Sequence, residues 1–593
     1  MTKLKLTENQ LSVLADEQHQ LVIGGPGSGK TTIAILKAIE SAKTNSLTSK
    51  KILFLSFARA TVSRVIEALH TELMGDHETQ EQIKIDTYHS FFWQILNTHG
   101  YLIGLPKAIS IMTPPTKAVV LSDIRNNSEE ALKAEHEDNR LIEIAFRKGQ
   151  ISFDLFSQLV VQILSSKRIR ELISSMYPCI ILDEFQDTDS GQWEIIRKLG
   201  ENSTLIALAD NEQRIYDFIP GVDPKRLDHF TQYFNVKPKS FSNTNYRSNG
   251  TDILEFGNDI LRSKIKKDYK NVTIKYFPSN ENQAYSSLKF ASLEARKRII
   301  NKRIDDWSLA ILVPTKKLMK EVSNYFRSSS PPISHFATID MDGPILAAEV
   351  IAHILQYKFD ITNESRFVDS LVSFYQGKGG DWPTKTDIEE AENLTKAYEK
   401  VQVARRSSKA ISQNNRLRKA IDTFHSIKSL SFSGDPAKDW LMVRNQLEQS
   451  NCRRLELVAE EVKSIRLLDR GTYLRDTLSE NWREFGCYNN ALNIVKRAFI
   501  QEHFSLTKKP ETGIVVMNMH KAKGKQFDEV IIFEGWPRGT RTKIFSNPNR
   551  IVRGNFPNEE LVQAKQNLRV SVTRAKSHTT ILTPENNPCI LLR

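Results

Sequence analysis

Three groups of residues have the types and spacing that chemistry on a nucleotide needs. The first is GGPGSGKTT, Gly24–Thr32, which fits the phosphate-loop pattern G-x-x-x-x-G-K-[ST] through Gly24, Gly29, Lys30 and Thr31. Glycines at 24, 25, 27 and 29 let the backbone wrap a phosphate with its amides turned inward. Pro26, Ser28 and Thr32 complete the loop, and the helix N-terminus that follows adds a favourable dipole. Lys30 can neutralise charge on the β and γ phosphates, and Thr31 can place its hydroxyl on Mg2+. The second group is LDEFQD, Leu182–Asp187. Its Asp183 and Glu184 end an apolar run, where two adjacent carboxylates are costly unless used. Asp183 suits magnesium coordination, and Glu184 suits orientation or deprotonation of an attacking water. A solvated strand end is the plainer alternative. Gln186 and Asp187 extend the polar segment towards a neighbouring site. The third group is ADNEQRIYDF, Ala209–Phe218. Gln213 can reach a γ-phosphate or its water, and Tyr216 and Phe218 can stack on bases without reading sequence. Taken alone, those two rings read more readily as core.

Three later segments add cations. NYRS, Asn245–Ser248, offers Arg247 as a bidentate phosphate ligand. MHKAKGKQF, Met519–Phe527, and SVTRAK, Ser571–Lys576, follow near the C-terminus. Arg574 in the last of these would be a weak signal by itself.

The elements that must position these residues alternate between strand and helix. Leu21–Ile23 leads into the loop glycines, and Ile52–Phe57 is a second apolar strand with a helical pattern behind it at Val62, Val65, Ile66 and Leu69. Ile83–Ile85, Tyr177–Leu182 and Leu205–Leu208 continue the series. Strands alternating with helices predict an α/β fold with a largely parallel sheet, whose ligands collect at the carboxyl ends of the strands. Residues 96–176 interrupt this pattern and read as mainly helical. A second α/β unit is expected beyond about residue 245, with strands at Leu309–Val313 and Ile514–Met517. Between them, residues 355–505 are polar, helical in rhythm and poor in proline and glycine. Between residues 400 and 500 there are 18 Lys and Arg against 11 Asp and Glu, so this block reads as a basic helical domain inserted in the second unit.

Whole-chain properties narrow the class. A length of 593 residues allows several cores, and a formal charge of +13 biases the partner towards a polyanion. The cysteines, Cys179, Cys452, Cys487 and Cys589, are scattered, which argues against zinc and iron–sulfur sites and fits a reducing compartment. The polar N-terminus has no signal-peptide core, and no run of about eighteen apolar residues exists to span a membrane. A cytoplasmic location is the expectation.

In their order along the chain, TENQ, GGPGSGKTT, SFARAT, DTYHSF, LDEFQD, ADNEQRIY, NYRS, MHKAKGKQF and VTRAK resemble the UvrD/Rep-type superfamily 1A DNA helicases. The resemblance runs from Thr7 to Lys576 and is weakest in residues 100–150 and 355–505. It implies two RecA-like P-loop NTPase motor domains with inserted, mainly helical accessory domains. On that reading, motor domain 1A comprises residues 1–95 and 177–248, split by insertion 1B at 96–176. Motor domain 2A comprises 249–354 and 506–593, split by insertion 2B at 355–505. The resemblance also implies ATP and Mg2+ as cofactors. Gln10 matches the adenine-reading glutamine, Lys30 and Thr31 the phosphate-loop contacts, Asp183 and Glu184 the magnesium and water-activating pair, and Gln213 the coupling glutamine. Arg247 and Arg574 match two arginines that approach the γ-phosphate. Phe57, Thr87, His89, Tyr216, Phe218 and His520 fall on the single-stranded DNA track or its coupling elements. ISFDL, Ile151–Leu155, resembles the segment that precedes the carboxylate motif.

Several positions depart from that pattern. Arg214 stands where serine is common, and Ile219 and Pro220 where arginine and glycine are. The usual GLEF reads GKQF, with Lys525 and Gln526; Gln526 can still bond a ribose but lacks charge. Gln563 and Ala564 replace an acidic pair, and Arg569 replaces an aromatic residue. The expected activity is ATP-dependent DNA unwinding and single-stranded DNA translocation, 3′ to 5′ by family analogy, on single-stranded and tailed duplex DNA. The alternative is a DNA-activated ATPase or DNA-end sensor that regulates a partner nuclease; compact members of this superfamily also serve as helicase subunits of two-gene antiviral systems such as Gabija. The chain ends soon after Lys576, which on this reading leaves no fused nuclease domain. Repair, recombination and plasmid replication are the other settings such a motor serves. A non-catalytic scaffold is disfavoured by the intact catalytic set, and RNA as substrate is disfavoured only by the resemblance.

Overall fold

The computed structural model describes residues 6–44, 50–57, 59–73, 76–127, 132–215, 219–241, 245–337, 342–356, 361–380, 384–463, 472–504, 512–539, 544–545, 549–552 and 558–592. The chain divides into two compact units. One is built from residues 1–96, 157–339 and 506–593, the other from 97–156 and 340–505.

Among the described residues the first unit carries two six-stranded parallel sheets. Across the first sheet the strands run Ile83–Thr87, Ile52–Ser56, Cys179–Leu182, Thr204–Ala209, Gln20–Ile23 and Lys239–Ser240. The strand that ends in Asp183 and the strand that opens the phosphate loop therefore flank the strand that leads to Gln213. All three deliver their polar ends to the same edge of the sheet. Uniformly apolar runs such as ILFLS at Ile52–Ser56, buried at every position, suit a parallel sheet covered on both faces. Helix Lys30–Thr44 lays Ile33, Ala34, Ala38 and Ala42 against this sheet. Helix Ser190–Gly200 is set by a capping box in which Asp189 accepts from Gln192 N at 2.7 Å, and Gln192 Oε1 accepts from Asp189 N at 3.1 Å.

The second sheet runs Phe336–Ala337, Gly513–Asn518, Ser308–Val313, Phe527–Phe533, Ala575–Pro584 and Val272–Phe277, again all parallel. Helices Glu281–Asn301 and Lys316–Ser328 cover one face, and helices Ile253–Arg262 and Asn558–Val572 the other. Some 200 residues separate Val313 from Gly513 in sequence, yet their strands pair in register, Ser308 with Gly513 and Val313 with Asn518.

The other unit is mainly helical. Helices Pro114–Asn127 and Lys133–Lys148 sit beside a short parallel pair, Ser110–Met112 with Gln150–Ser152. Among the described residues, eight further helices lie between Asp342 and Phe504 and share one apolar core. Helix Pro114–Asn127 packs on helix Ile361–Gly377, where a Cβ at Gly377 would meet the Pro115 carbonyl oxygen at 2.8 Å. The buried Glu364 accepts from Arg405 Nη1 and Nη2, both at 2.7 Å, and lies 2.8 Å from His425 Nε2. Among the described residues no helix is long and apolar enough to cross a membrane.

Candidate functional site

The phosphate loop leaves its strand at Ile23 and enters helix Lys30–Thr44, so its amides and the helix N-terminus face one cavity of about 330 Å³. Gly27 and Gly29 lie at φ +75° and +86°, a region open to glycine and strained for other residues. A Cβ at Gly27 would also sit 2.1 Å from Asn245 Oδ1. Lys30 turns back on its own loop, where Nζ donates to the carbonyls of Gly24 and, at 3.1 Å, Gly25. Burial lowers its pKa. Ser28 Oγ is buried with no hydrogen-bond partner. A phosphate would give both groups the anionic acceptor that the loop itself lacks, so the residues present fit a nucleotide.

The carboxylate pair closes the opposite wall. Asp183 accepts from Ser56 Oγ at 3.0 Å, and burial, then the neighbouring Glu184, raises its carboxyl to about 6. Glu184 has φ +54°, which costs a non-glycine residue about 1–2 kcal/mol. That turn aims its carboxylate at Gln186, whose Nε2 donates to Oε2 at 2.6 Å. Burial opposes ionisation of Glu184, but Lys523 and then Lys30 outweigh it and hold the carboxyl below its ordinary range. Thr31 and Asp183 both line the cavity and supply hard oxygen donors of the kind Mg2+ takes.

Gln213 lies between these walls. Its Nε2 donates to Asp210 Oδ2 at 2.7 Å, and its Oε1 accepts from Arg574 Nη2 at 2.6 Å. Asp210 N in turn donates to Gln186 Oε1 at 3.0 Å, so the carboxylate segment and the Gln213 segment are directly bonded. Arg247 donates from Nη1 to the Thr573 carbonyl at 3.0 Å, reaching the chain segment that bears Arg574. With its amide oxygen turned to the guanidinium groups, Gln526 accepts from Arg64 Nη1 at 2.8 Å and from Arg247 Nε and Nη2 at 2.8 and 3.0 Å. Burial lowers Arg247 well below its usual pKa and brings Arg574 down to about 10. The cavity is therefore a partly desolvated cluster of cations from both sheets, a setting suited to a polyphosphate.

Gln10 stands behind the loop rather than on the cavity wall. It is buried at the start of helix Glu8–Ala15, donates from Nε2 to the Ser28 carbonyl at 3.4 Å and accepts from Thr7 N at 3.0 Å. Phe57, Thr87 and His89 gather at the carboxyl ends of the paired strands Ile52–Ser56 and Ile83–Thr87. There the Phe57 and Tyr88 rings lie 4.5 Å apart. His520 follows strand Gly513–Asn518 in the second sheet, and its N donates to Asn518 Oδ1 at 3.0 Å. Tyr216 and Phe218 lie outside the described residues.

Three residues belong to the site without having been singled out by sequence. Arg64, from helix Arg59–Glu72, lines the cavity beside Gln526, to which it donates. Tyr246 lines it with half of its surface exposed, an aromatic face on which a base can stack. Lys523 pairs with Asp187, donates to the Gln213 carbonyl at 2.7 Å and stands 3.9 Å from Glu184 Oε2. The signal for Tyr246 and Lys523 was their place inside NYRS and MHKAKGKQF; Arg64 had none, because its partners are distant in sequence.

Residues 8–219 match the AAA domain family, so the phosphate loop, the carboxylate pair and Gln213 all fall within the matched stretch. Over nearly its whole length the chain is similar to the ATP-dependent DNA helicase PcrA of Staphylococcus aureus strain Mu50, with 21% identity across 96% of this chain and 82% of that protein. PcrA of Staphylococcus epidermidis strain RP62A is 20% identical over the same shares. PcrA of S. aureus strain MRSA252 is 22% identical over 55% of this chain and 50% of that protein. At family level these likenesses support an ATP-dependent DNA helicase.

Proposed function

We infer that this chain is an ATP-dependent DNA helicase and single-stranded DNA translocase of the UvrD/Rep type. The observation that carries this reading is convergence on one cavity. The phosphate loop, Asp183, Glu184 and Gln213 come from the first sheet, and Gln526 and Arg574 come from the second. The two sheets serve as the RecA-like motor domains 1A and 2A, and the helical unit, residues 97–156 and 340–505, serves as accessory domains 1B and 2B. Residues 157–176 therefore go with 1A and 340–354 with 2B, rather than with the sequence boundaries 96–176 and 355–505.

Lys30 and the loop amides hold the β and γ phosphates; Gln10 supports the loop at Ser28 and reads the adenine once its amide leaves Ser28 and Thr7. Thr31 and Asp183 hold Mg2+, which when bound neutralises phosphate charge. Glu184, kept ionised by Lys523 and Lys30, orients the attacking water and takes its proton. Arg247 and Arg574 stabilise charge as it develops on the transferred phosphoryl group. Since Gln213 bonds both Asp210 and Arg574, it reports the state of the phosphate across the cleft. Phe57, Thr87, His89 and His520, with Tyr216 and Phe218, carry the single-stranded DNA, through stacking and phosphate contacts that need no sequence recognition. Closure on ATP and reopening after release then move the chain along one strand, 3′ to 5′.

The test is strand separation on duplexes bearing a 3′ or a 5′ tail. Unwinding from the 3′ tail alone is expected, and preference for the 5′ tail contradicts the polarity. A second reading is a DNA-activated ATPase or end sensor that regulates a partner nuclease in antiviral defence. Strong DNA-stimulated hydrolysis without unwinding of either duplex would select it.

A further inference from the structure

The short segment Asn211–Gln213 is gripped by three cations borne on chain that belongs to the second sheet. Lys523 donates to the Gln213 carbonyl at 2.7 Å, and Arg574 to the Gln213 side chain at 2.6 Å. The third is Arg569, whose side chain is 1% exposed and lies off the cavity wall. Its Nη2 meets Glu212 Oε2 at 2.7 Å, and its Nη1 donates to the Glu212 carbonyl at 3.2 Å. Nε and Nη2 each donate to Asn258 Oδ1 at 3.1 Å. A buried guanidinium is tolerated only when its donors are paired, and Glu212 and Asn258 share that task. Asn258 lies on helix Ile253–Arg262, which approaches helix Asn558–Val572 closely: a Cβ at Gly257 would come within 3.3 Å of Arg569 Cγ.

We propose that Arg569, Asn258 and Glu212 form a strut that keeps Gln213 in register with Arg574 and makes the Gln213 segment follow the second sheet. The proposal rests on the reading of the cavity as a site of ATP hydrolysis. Arg574 touches Gln213 inside the cavity, where a phosphate competes for the same guanidinium. Once Arg574 turns to the phosphate, its hold on Gln213 weakens. Arg569 stands outside that competition and grips both the carboxylate and the carbonyl of the preceding residue, which fixes the direction in which Gln213 leaves the backbone. Arg569 and Arg574 sit five positions apart, at the end of one helix and just beyond it, so a displacement of that helix moves both. An aromatic residue at position 569, as in the family pattern, has no fork of donors for Glu212, so the strut is a property of this chain. Arg569 is thus a positioning residue for Gln213.

The test compares the full-length chain with Glu212→Gln, Arg569→Gln, the double variant and the conservative Arg569→Lys. ATPase kcat and KM are measured with and without single-stranded DNA. Glu212→Gln should lower the DNA-stimulated kcat between about 2- and 30-fold, the range for residues that carry coupling between sites, and leave KM for ATP unchanged. Arg569→Gln should do the same, the double variant should be no worse than Arg569→Gln alone, and Arg569→Lys should recover part of the loss. The Glu212 side chain is 58% exposed, so Glu212→Gln folds and decides the matter even if Arg569→Gln does not. A Glu212→Gln variant with parental kcat, or single losses that multiply in the double variant, overturns the strut while leaving the hydrolytic site intact. A parental chain that hydrolyses no ATP overturns both.

Discussion

Replacing Lys523 by methionine removes a cation that ties the second sheet to two places beside the carboxylate pair. The Lys523 side chain is 5% exposed and that of Asp187 1%, so the pair is buried. Withdrawing one member of a buried pair costs about 3–5 kcal/mol, because the remaining charge stays in a poorly polarisable setting. Here the Gln213 carbonyl also loses a charged donor at 2.7 Å. Methionine keeps most of the length of the stem, so packing changes little. Asp187→Asn removes the partner charge at nearly constant volume. If the broken pair accounts for most of the loss, the double variant should retain about 2 kcal/mol more stability than the sum of the single losses predicts, within the range for contacting residues. The assay is urea unfolding of the nucleotide-free chain followed by circular dichroism, with midpoints and slopes compared, since a chain of two units need not unfold in one step. A Lys523→Met variant within about 0.5 kcal/mol of the parent, or single effects that add to within that margin, would show that the buried pair does not carry this stability.

Gly27→Ala should abolish binding of a fluorescent ATP analogue, because the new Cβ collides with Asn245 Oδ1 at a backbone angle that only glycine holds without strain; unchanged affinity contradicts the loop geometry. Gln526→Glu puts an anion against Arg64 and Arg247 and should raise KM for ATP about tenfold, the scale of one charge-assisted hydrogen bond diverted from phosphate; an unchanged or lower KM contradicts it. Burial holds Lys428 down to about 7 from an ordinary 10.5, so the unfolded chain binds the extra proton between those values and stability rises with pH through that window. Lys428→Met should therefore raise the midpoint of thermal unfolding at pH 7, with a gain that fades towards the upper end of the window; a gain independent of pH removes burial of the charge as its cause.

What the sequence makes legible is what is contiguous in it. The glycine loop, the carboxylate pair and strands such as Ser308–Val313, apolar and buried along their length, each declare themselves within a few residues. Strand Phe527–Phe533 does not, because Asp528 and Glu529 follow its first residue. Their burial makes sense only once Asp528 is seen to accept from Ser308 N at 2.8 Å and Glu529 to pair with Arg298 at 2.7 Å, both more than 200 residues away. Strand Val272–Phe277 is hidden for another reason: it lies at the sheet edge and is only half-buried over most of its length, so its apolar pattern is interrupted by Thr273 and Lys275. The site divides along the same line. Lys30, Asp183 and Gln213 stand in local motifs, whereas Arg64 and the Lys523–Asp187 tie are defined by partners brought in from the other sheet. Arg569 reads as a departure from pattern in the sequence and gains a role only when Glu212 and Asn258 are placed against it.

On the proposed reading the cavity hydrolyses ATP under the control of single-stranded DNA. The most direct test is the steady-state ATPase rate of the purified chain with Mg2+, measured without nucleic acid, with single-stranded DNA and with single-stranded RNA, beside the Lys30→Ala variant. Hydrolysis should be stimulated strongly by single-stranded DNA, less by RNA, and abolished by Lys30→Ala. A near-parental rate in Lys30→Ala, or a parental rate indifferent to DNA, would contradict that reading.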